Sequence, residues 1–236
     1  MAAIAQTLAN IVSSSRIVAW EQIKAPLKHQ IAQVTVPGTS VDCVVYPNTQ
    51  TELSQVIACA HQQRWRVLVC GSGSKLNWGG LANGIDLVIS TEKLDRLIHH
   101  AVGDLTVTVE AGIKFHHLQS VLSQAGQFLA MDPAYLESAT LGGMIATADT
   151  GSLRQRYGGI RDMLIGVSFV RSDGQIVKAG GQVVKNVAGY DLMKLMTGSY
   201  GTLGVLSQVT FRTYPQPDVS KTVILTGESE AIAKAT

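Results

Sequence analysis

Between Val41 and Lys75 the sequence "VDCVVYPNTQTELSQVIACAHQQRWRVLVCGSGSK" sets strand, helix, strand and glycine loop in succession, an order that limits the chain to folds containing a β-α-β unit. "VDCVVYP" is an apolar strand closed by the Pro47-Asn48 turn, and Thr49-x-x-Glu52 reads as a capping box that starts a helix. Leu53, Val56, Ile57 and Ala60 fall at i, i+3, i+4 and i+7, which gives that helix one buried stripe. "RVLVC" is the second strand. The loop "GSGSKLNWGG" therefore leaves its carboxyl end, where α/β sheets present their ligands.

Further along, "DLVIS" and "LTVTVEAG" read as strands, and "KFHHLQSVLSQAG" as a helix with Phe115, Leu118, Val121 and Leu122 on one face and Gly126 as its stop. "MLIGVSFVRSDGQIVKAGG" is a hairpin turning at Ser172-Asp173-Gly174. "GYDLMKLMTG" is a short helix ended by Gly198, and "TLGVLSQVTFRTYP" a long closing strand. Beyond Pro215 and Pro217, "DVSKTVILTGESEAIAKAT" starts a strand and a helix that find no partner, as a truncated domain would. The architecture expected is α+β, with two small β-rich subdomains and the glycine loops between them.

Of the 236 residues 46% are hydrophobic, enough for a core without covalent staples. The formal charge of +2 is spread along the chain, with no basic run to follow a nucleic-acid backbone. Three cysteines, at 43, 59 and 70, fit neither a disulfide framework nor the spacing of a structural metal site; a reducing cytoplasmic setting is expected. No apolar stretch approaches the roughly 18–20 residues of a membrane span. The first residues lack the basic region of a secretory signal and read as an amphipathic helical lead-in.

Three glycine-rich segments carry the chemistry. Gly71-x-Gly73-x-x-Leu76 lacks the third glycine of a dinucleotide fingerprint, and Ser74 stands where a nucleotide-triphosphate loop needs a glycine before its lysine. What remains is a run of small residues whose N–H groups can converge on an anion, with the Ser72 and Ser74 hydroxyls as further donors; a diphosphate matches better than a carboxylate, and a plain turn is the bland alternative. In "ATLGGMIAT" the glycines at 142 and 143 permit close approach to a flat ring, and Thr140 and Thr147 offer hydroxyls; tight packing between elements explains the same residues equally well. "GSYGTLGVL" alone reads as turn glycines.

Together "CGSGSKLNWGG", "ESATLGGMIAT", "RYGGIRDMLIGVSFVRSDGQIVKAGG", "VVKNVAGYDLMKL" and "GSYGTLGVLSQVTFRTYP" resemble the FAD-binding PCMH-type domain shared by vanillyl-alcohol oxidase and p-cresol methylhydroxylase, over about Val41 to Pro215. Within that family the chain is similar to the FAD-binding subunit of glycolate oxidase, the GlcE-like branch. The resemblance implies a two-subdomain α+β fold: residues 1–35 a helical lead-in, 36–215 the FAD-binding domain, and 216–236 the truncated start of a C-terminal cap domain over the substrate. It also implies that Gly71, Ser72, Gly73, Ser74, Lys75 and Leu76 cradle the FAD diphosphate with Asn77 closing the loop. Pro133, Ser138, Thr140, Leu141, Gly142, Gly143, Ala146 and Thr147 would follow the ribityl chain and ring, and Gly204 and Val205 would meet FAD through main-chain groups. Lys185, Asn186, Tyr190 and Asp191 of the "KNVAGYD" signature are expected to be structural. That signature also argues against a more distant resemblance, to the enolpyruvyl-glucosamine reductase of cell-wall synthesis.

The first loop has no His, which some relatives use to attach FAD, so a non-covalent flavin is expected. Ala148 and Asp149 depart from the Asn and Ala that D-2-hydroxyacid dehydrogenases carry there. The activity implied is oxidation of glycolate or a related D-2-hydroxy acid. Electrons would leave through a second FAD subunit and an iron–sulfur subunit to a membrane quinone, since three cysteines are too few for a cluster of this chain's own. The alternative is a non-catalytic, FAD-bearing scaffold subunit. Arg154, Arg156 and Arg161 are candidates for a substrate carboxylate, with solvated roles equally available. The pairs His99-His100 and His116-His117 point their neighbours apart and make no ready metal clamp, and no catalytic base is assigned.

Overall fold

The computed structural model describes residues 3–181, 189–230 and 234. The helices are α1 (Ala3–Leu8), α2 (Ala25–Gln33), α3 (Gln50–Gln62), α4 (Phe115–Ser123), α5 (Leu141–Thr147), α6 (Arg154–Tyr157), α7 (Ile160–Met163) and α8 (Leu192–Met196). The strands are β1 (Ile17–Ala19), β2 (Cys43–Val45), β3 (Val67–Cys70), β4 (Leu87–Ser90), β5 (Leu97–Ala101), β6 (Thr106–Glu110), β7 (Gln127–Phe128), β8 (Leu164–Val170), β9 (Ile176–Gly180), β10 (Val205–Arg212) and β11 (Tyr214–Pro215). Lys185 and Asn186 lie outside the described residues.

The first subdomain is a four-stranded sheet in the order β1-β2-β4-β3, parallel except where β1 joins β2. Helices cover both faces, so its central strands are buried throughout, without alternation. Cys43, Val45, Leu87 and Ile89 pack on the α3 stripe of Leu53, Val56, Ile57 and Ala60. Val44 and Val88 face the other way, towards Ile31 and Leu27 of α2. The lead-in is thus more than helical: it supplies a strand and one cover of this sheet. It is also tied to α3, because Arg16 donates two hydrogen bonds, of 2.6 and 2.7 Å, to Glu52. The Thr49 hydroxyl caps α3 by accepting from the Glu52 N–H at 3.1 Å. Glu52 does not complete the box, since its carboxylate turns to Arg16 and the Asn48 N–H instead.

The second subdomain is a five-stranded antiparallel sheet, β5-β6-β10-β8-β9. One face buries Val107, Val109, Val167, Phe169, Val209 and Phe211 against α4, α5, α7 and α8. The opposite face carries Ser168, Ser207 and the Thr108–Thr210 hydroxyl pair. There the two subdomains meet: Gln50 of α3 donates to the Ser168 and Ser207 hydroxyls at 2.6 and 2.7 Å, and Ser54 donates to the Gly174 carbonyl at 2.6 Å.

The strand expected in "TVILTG" does not form. No strand edge pairs with it, and Val219, Val223 and Ile224 are 72, 79 and 82% exposed. Helical backbone begins only at Ser229 and Glu230. The α+β architecture of two small subdomains expected from the sequence is the one observed.

Candidate cofactor site

Three segments from the two subdomains enclose a cavity of about 680 Å³: the loop after β3, α5, and the turn before β10. Each is built for close approach. A Cβ on Gly71 would lie 2.1 Å from the Thr140 hydroxyl oxygen, so only glycine lets the first loop touch the start of α5. Gly73 sits at φ +82°, a left-handed conformation that side chains rarely adopt. Around it, among the described residues, the N–H groups of Ser72, Gly73, Ser74 and Lys75 donate to no protein acceptor. A run of free amides on the wall of a cavity is an anion-binding arrangement.

The second segment is not a glycine loop but helix α5, capped where the Thr140 hydroxyl accepts from the Gly143 N–H at 3.3 Å. Its glycines serve the helix's own packing. The Gly142 N–H donates to the Ala111 carbonyl at 2.7 Å, and a Cβ there would stand 3.0 Å from that same oxygen. With the Leu141 N–H bonded to the Ile113 carbonyl, the first-turn amides are already used, and the free donors are those of the first loop. Thr147 donates to the Gly143 carbonyl at 2.8 Å, leaving its lone pairs open.

The third segment holds the largest surprise relative to the sequence. Gly198, Tyr200 and Gly201 have φ of 78°, 52° and 72°, three left-handed residues in four, pinned by Gly198 and Tyr200 N–H bonds to the Ile145 and Ala146 carbonyls. This places Ser199 on the cavity wall with its hydroxyl buried and, among the described residues, without a hydrogen-bond partner. An unpaired hydroxyl facing a cavity is costly unless a ligand completes it.

Of the residues singled out in the sequence, Gly71, Ser72, Gly73, Ser74, Lys75 and Leu76 line the cavity, as do Thr140, Gly142, Gly143, Ala146, Thr147, Gly204 and Val205. Four do not. Leu141 is fully buried in the hydrophobic core, Pro133 is buried away from the wall, Asn77 is exposed on a turn, and Ser138 contributes its carbonyl, which accepts from the Ser72 hydroxyl. Ser199 to Thr202 and Trp78, which lie inside two of the quoted glycine-rich segments without being singled out there, also line it. Tyr190 is 91% exposed, and Asp191 caps α8 by accepting from the Lys194 N–H at 3.3 Å.

Lys75 is the one charged residue among the described residues lining the cavity. Its side chain is 5% exposed, and its ammonium stands 3.2 Å from Asp149 Oδ2, itself on a side chain 8% exposed. Burial pushes the Lys75 pKa down, and Asp149 opposes that shift. Cys70 also lines the wall, and burial pushes its thiol up to about 12, away from the reactive thiolate form. Arg154, Arg156 and Arg161 are exposed and stand outside the cavity wall, and no His is among the described residues that line it. Among the described residues no group of three or more His, Cys, Asp or Glu is placed to hold a metal ion, and no helix is long and apolar enough to cross a membrane.

Comparison with known proteins gives this cavity a family. The chain is 36% identical to glycolate oxidase subunit GlcE of Escherichia coli over 155 residues, 65% of this chain and 44% of that one. It is 31% identical to glycolate oxidase subunit GlcD of Bacillus subtilis over 183 residues, covering 78% and 39%, and 35% identical to the mitochondrial D-lactate dehydrogenase [cytochrome] of Arabidopsis thaliana over 181 residues, covering 76% and 31%. The chain thus spans less than half the length of these relatives. Among solved structures, alkyldihydroxyacetonephosphate synthase shares the fold, with a TM-score of 0.76 over 92% of this chain and 41% of that one, at 20% identity. Residues 41–180 match the family model described as FAD binding domain, and with more than half of its length so matched the chain belongs to the FAD-binding domain family.

Proposed function

We propose that this chain binds FAD non-covalently in the cavity between its subdomains and serves the oxidation of glycolate or a related D-2-hydroxy acid. The observation that carries the reading is the pairing of free amides at residues 72–75 with the unpartnered Ser199 hydroxyl across one cavity. Its volume falls within the roughly 300–1,000 Å³ common for cofactor sites. The residues fit the group: the loop amides would hold the diphosphate, and Ser199, Thr147 and the main chain at Gly204 and Val205 would meet its remaining polar atoms. The relatives named glycolate oxidase subunits and D-lactate dehydrogenases point to the substrate class.

Oxidising a 2-hydroxy acid to its 2-oxo acid removes two electrons and two protons, and a bound flavin would supply the acceptor for the hydride from Cα. The chain's own contribution is placement. Loop 71–75 and α5 are fixed to each other through Gly71 and Thr140, so the anion donors and the rest of the wall keep one geometry. The base for the hydroxyl proton is not assigned to any residue of this wall. From the matched residues 41–180 and the end of β11 at Pro215 we assign residues 36–215 to the FAD-binding domain, and we propose 216–236 as the start of a cap domain. The partners proposed are a second FAD subunit and an iron–sulfur subunit that take the electrons onward.

The test is spectroscopic. The purified chain is titrated with FAD, freed of excess flavin by gel filtration, and then mixed anaerobically with glycolate or D-lactate. A retained flavin band that denaturation releases supports the non-covalent cofactor reading, and bleaching by the hydroxy acid supports the oxidase reading. Failure to retain FAD would sink the first. A band that persists under substrate would instead indicate the scaffold subunit.

A further inference from the structure

We propose that Asp149 is an internal counter-ion of Lys75 that competes with the bound diphosphate, so that this carboxylate sets how tightly the chain holds its cofactor. The inference rests on the FAD reading above and concerns the charge balance of the same site.

Lys75 brings the one formal charge to the described cavity wall. Its ammonium is 5.8 Å from the Trp78 ring centroid and 3.2 Å from Asp149 Oδ2, and among the described residues neither of these buried atoms has a hydrogen-bond partner beyond that pairing. An ammonium has three donors, so this one holds its charge partner while keeping hydrogen-bonding capacity unused. Asp149 is held in place by the end of α5. Ala148 adopts φ 53°, a left-handed conformation unusual for a residue with a side chain, and the Asp149 N–H donates to the Met144 carbonyl at 3.0 Å. The carboxylate is therefore a fixed charge rather than a mobile surface one.

An anion approaching loop 72–75 meets a lysine that is already neutralised. The pair is close to silent towards it, and the attraction comes from amide dipoles. If the Asp149 charge is removed, the buried ammonium has no counter-charge except the ligand, and binding the ligand restores what was lost. If Lys75 is removed, a buried carboxylate is left beside the anion and repels it. If both are removed, the wall is again neutral. Asp149 acts through Lys75 and is a positioning residue for it.

The experiment measures binding of FAD by flavin fluorescence and of inorganic pyrophosphate by calorimetry to the 236-residue chain and to Asp149→Asn, Lys75→Met and the double variant, each checked for folding by circular dichroism. Asp149→Asn should bind both ligands roughly tenfold or more tightly than the parent, Lys75→Met at least tenfold more weakly, and the double variant within about threefold of the parent. A merely structural Asp149 cannot tighten binding when neutralised. Unchanged or weaker binding by Asp149→Asn overturns the proposal, as does a double variant as weak as Lys75→Met. That second comparison decides the matter if Asp149→Asn fails to fold. Should the parent bind pyrophosphate but not FAD, the cofactor reading fails while the charge balance is still tested.

Discussion

Replacing Gly71 by Ala tests how the cavity is assembled. The new Cβ would stand 2.1 Å from the Thr140 hydroxyl oxygen, 2.8 Å from its methyl and 3.0 Å from its Cβ, so the Thr140 side chain must move. Thr140 is 2% exposed and caps α5, and displacing it therefore costs twice over. Loss of a threonine cap costs about 1 kcal/mol, and overpacking a tight contact adds about 1–3 kcal/mol. The sum, about 3 kcal/mol, corresponds to a fall in melting temperature of roughly 6–12 °C for a domain of this size. Thermal and urea unfolding of the apo chain measure it. Substituting Thr140→Gly in the same chain removes every clashing atom, and glycine is a tolerable cap, so the double variant should recover to within about 1 kcal/mol of the parent. If Gly71→Ala melts within about 2 °C of the parent, or if Thr140→Gly does not rescue it, the loop and α5 are not in the contact described here.

Two further outcomes separate binding from folding. Ser199→Ala should weaken FAD binding roughly fivefold, the worth of one neutral hydrogen bond, while leaving the apo melting point unchanged or raising it, because among the described residues the buried hydroxyl has no partner; a lower apo melting point with unchanged affinity would show that Ser199 serves the fold instead. Arg16, with the Asn48 N–H, holds the Glu52 carboxyl below its usual range against the effect of burial. Its stabilisation is therefore complete above the unfolded carboxyl value of about 4.3 and is lost as pH falls through the lower folded value. Arg16→Met should cost about 2 kcal/mol at neutral pH by urea unfolding, with a gap from the parent that closes on acidification below about pH 4; a gap constant down to pH 3 would refute the assignment.

Much of the first subdomain was legible because its signals are local. The Thr49 cap, the stripe of Leu53, Val56, Ile57 and Ala60, and the loop after "RVLVC" are each specified within a few residues, and the fold uses all of them. Strand β5 was missed because "LIHHA" presents an exposed edge with no alternation to betray it. The helix α5 did carry a signal: Leu141, Met144 and Ile145 stand at i, i+3 and i+4 behind a capping threonine, and all three are buried. The paired glycines obscure that pattern, since glycine lowers helix propensity by about 1 kcal/mol per residue, a cost that the close packing of Gly142 on Ala111 offsets. The tail shows the converse error, since β-branched residues at Val219, Val223 and Ile224 make a strand only where an edge accepts them.

The charge at the site was illegible for a different reason. Lys75 and Asp149 belong to different subdomain loops, and nothing near either residue in sequence marks them as a pair. A lysine in a phosphate-binding loop reads locally as a phosphate ligand. Once the fold buries it against a carboxylate, its field is largely cancelled, and the attraction left to an anion is the sum of amide dipoles from residues 72–75. Such dipoles act only at short range and in one geometry, which makes the close contact of Gly71 with Thr140 a condition of binding as well as of stability. On the proposed reading, a cavity that attracts by oriented amides rather than by net charge would select for the shape of a diphosphate ligand over its charge alone, and only while the first loop and α5 remain in contact.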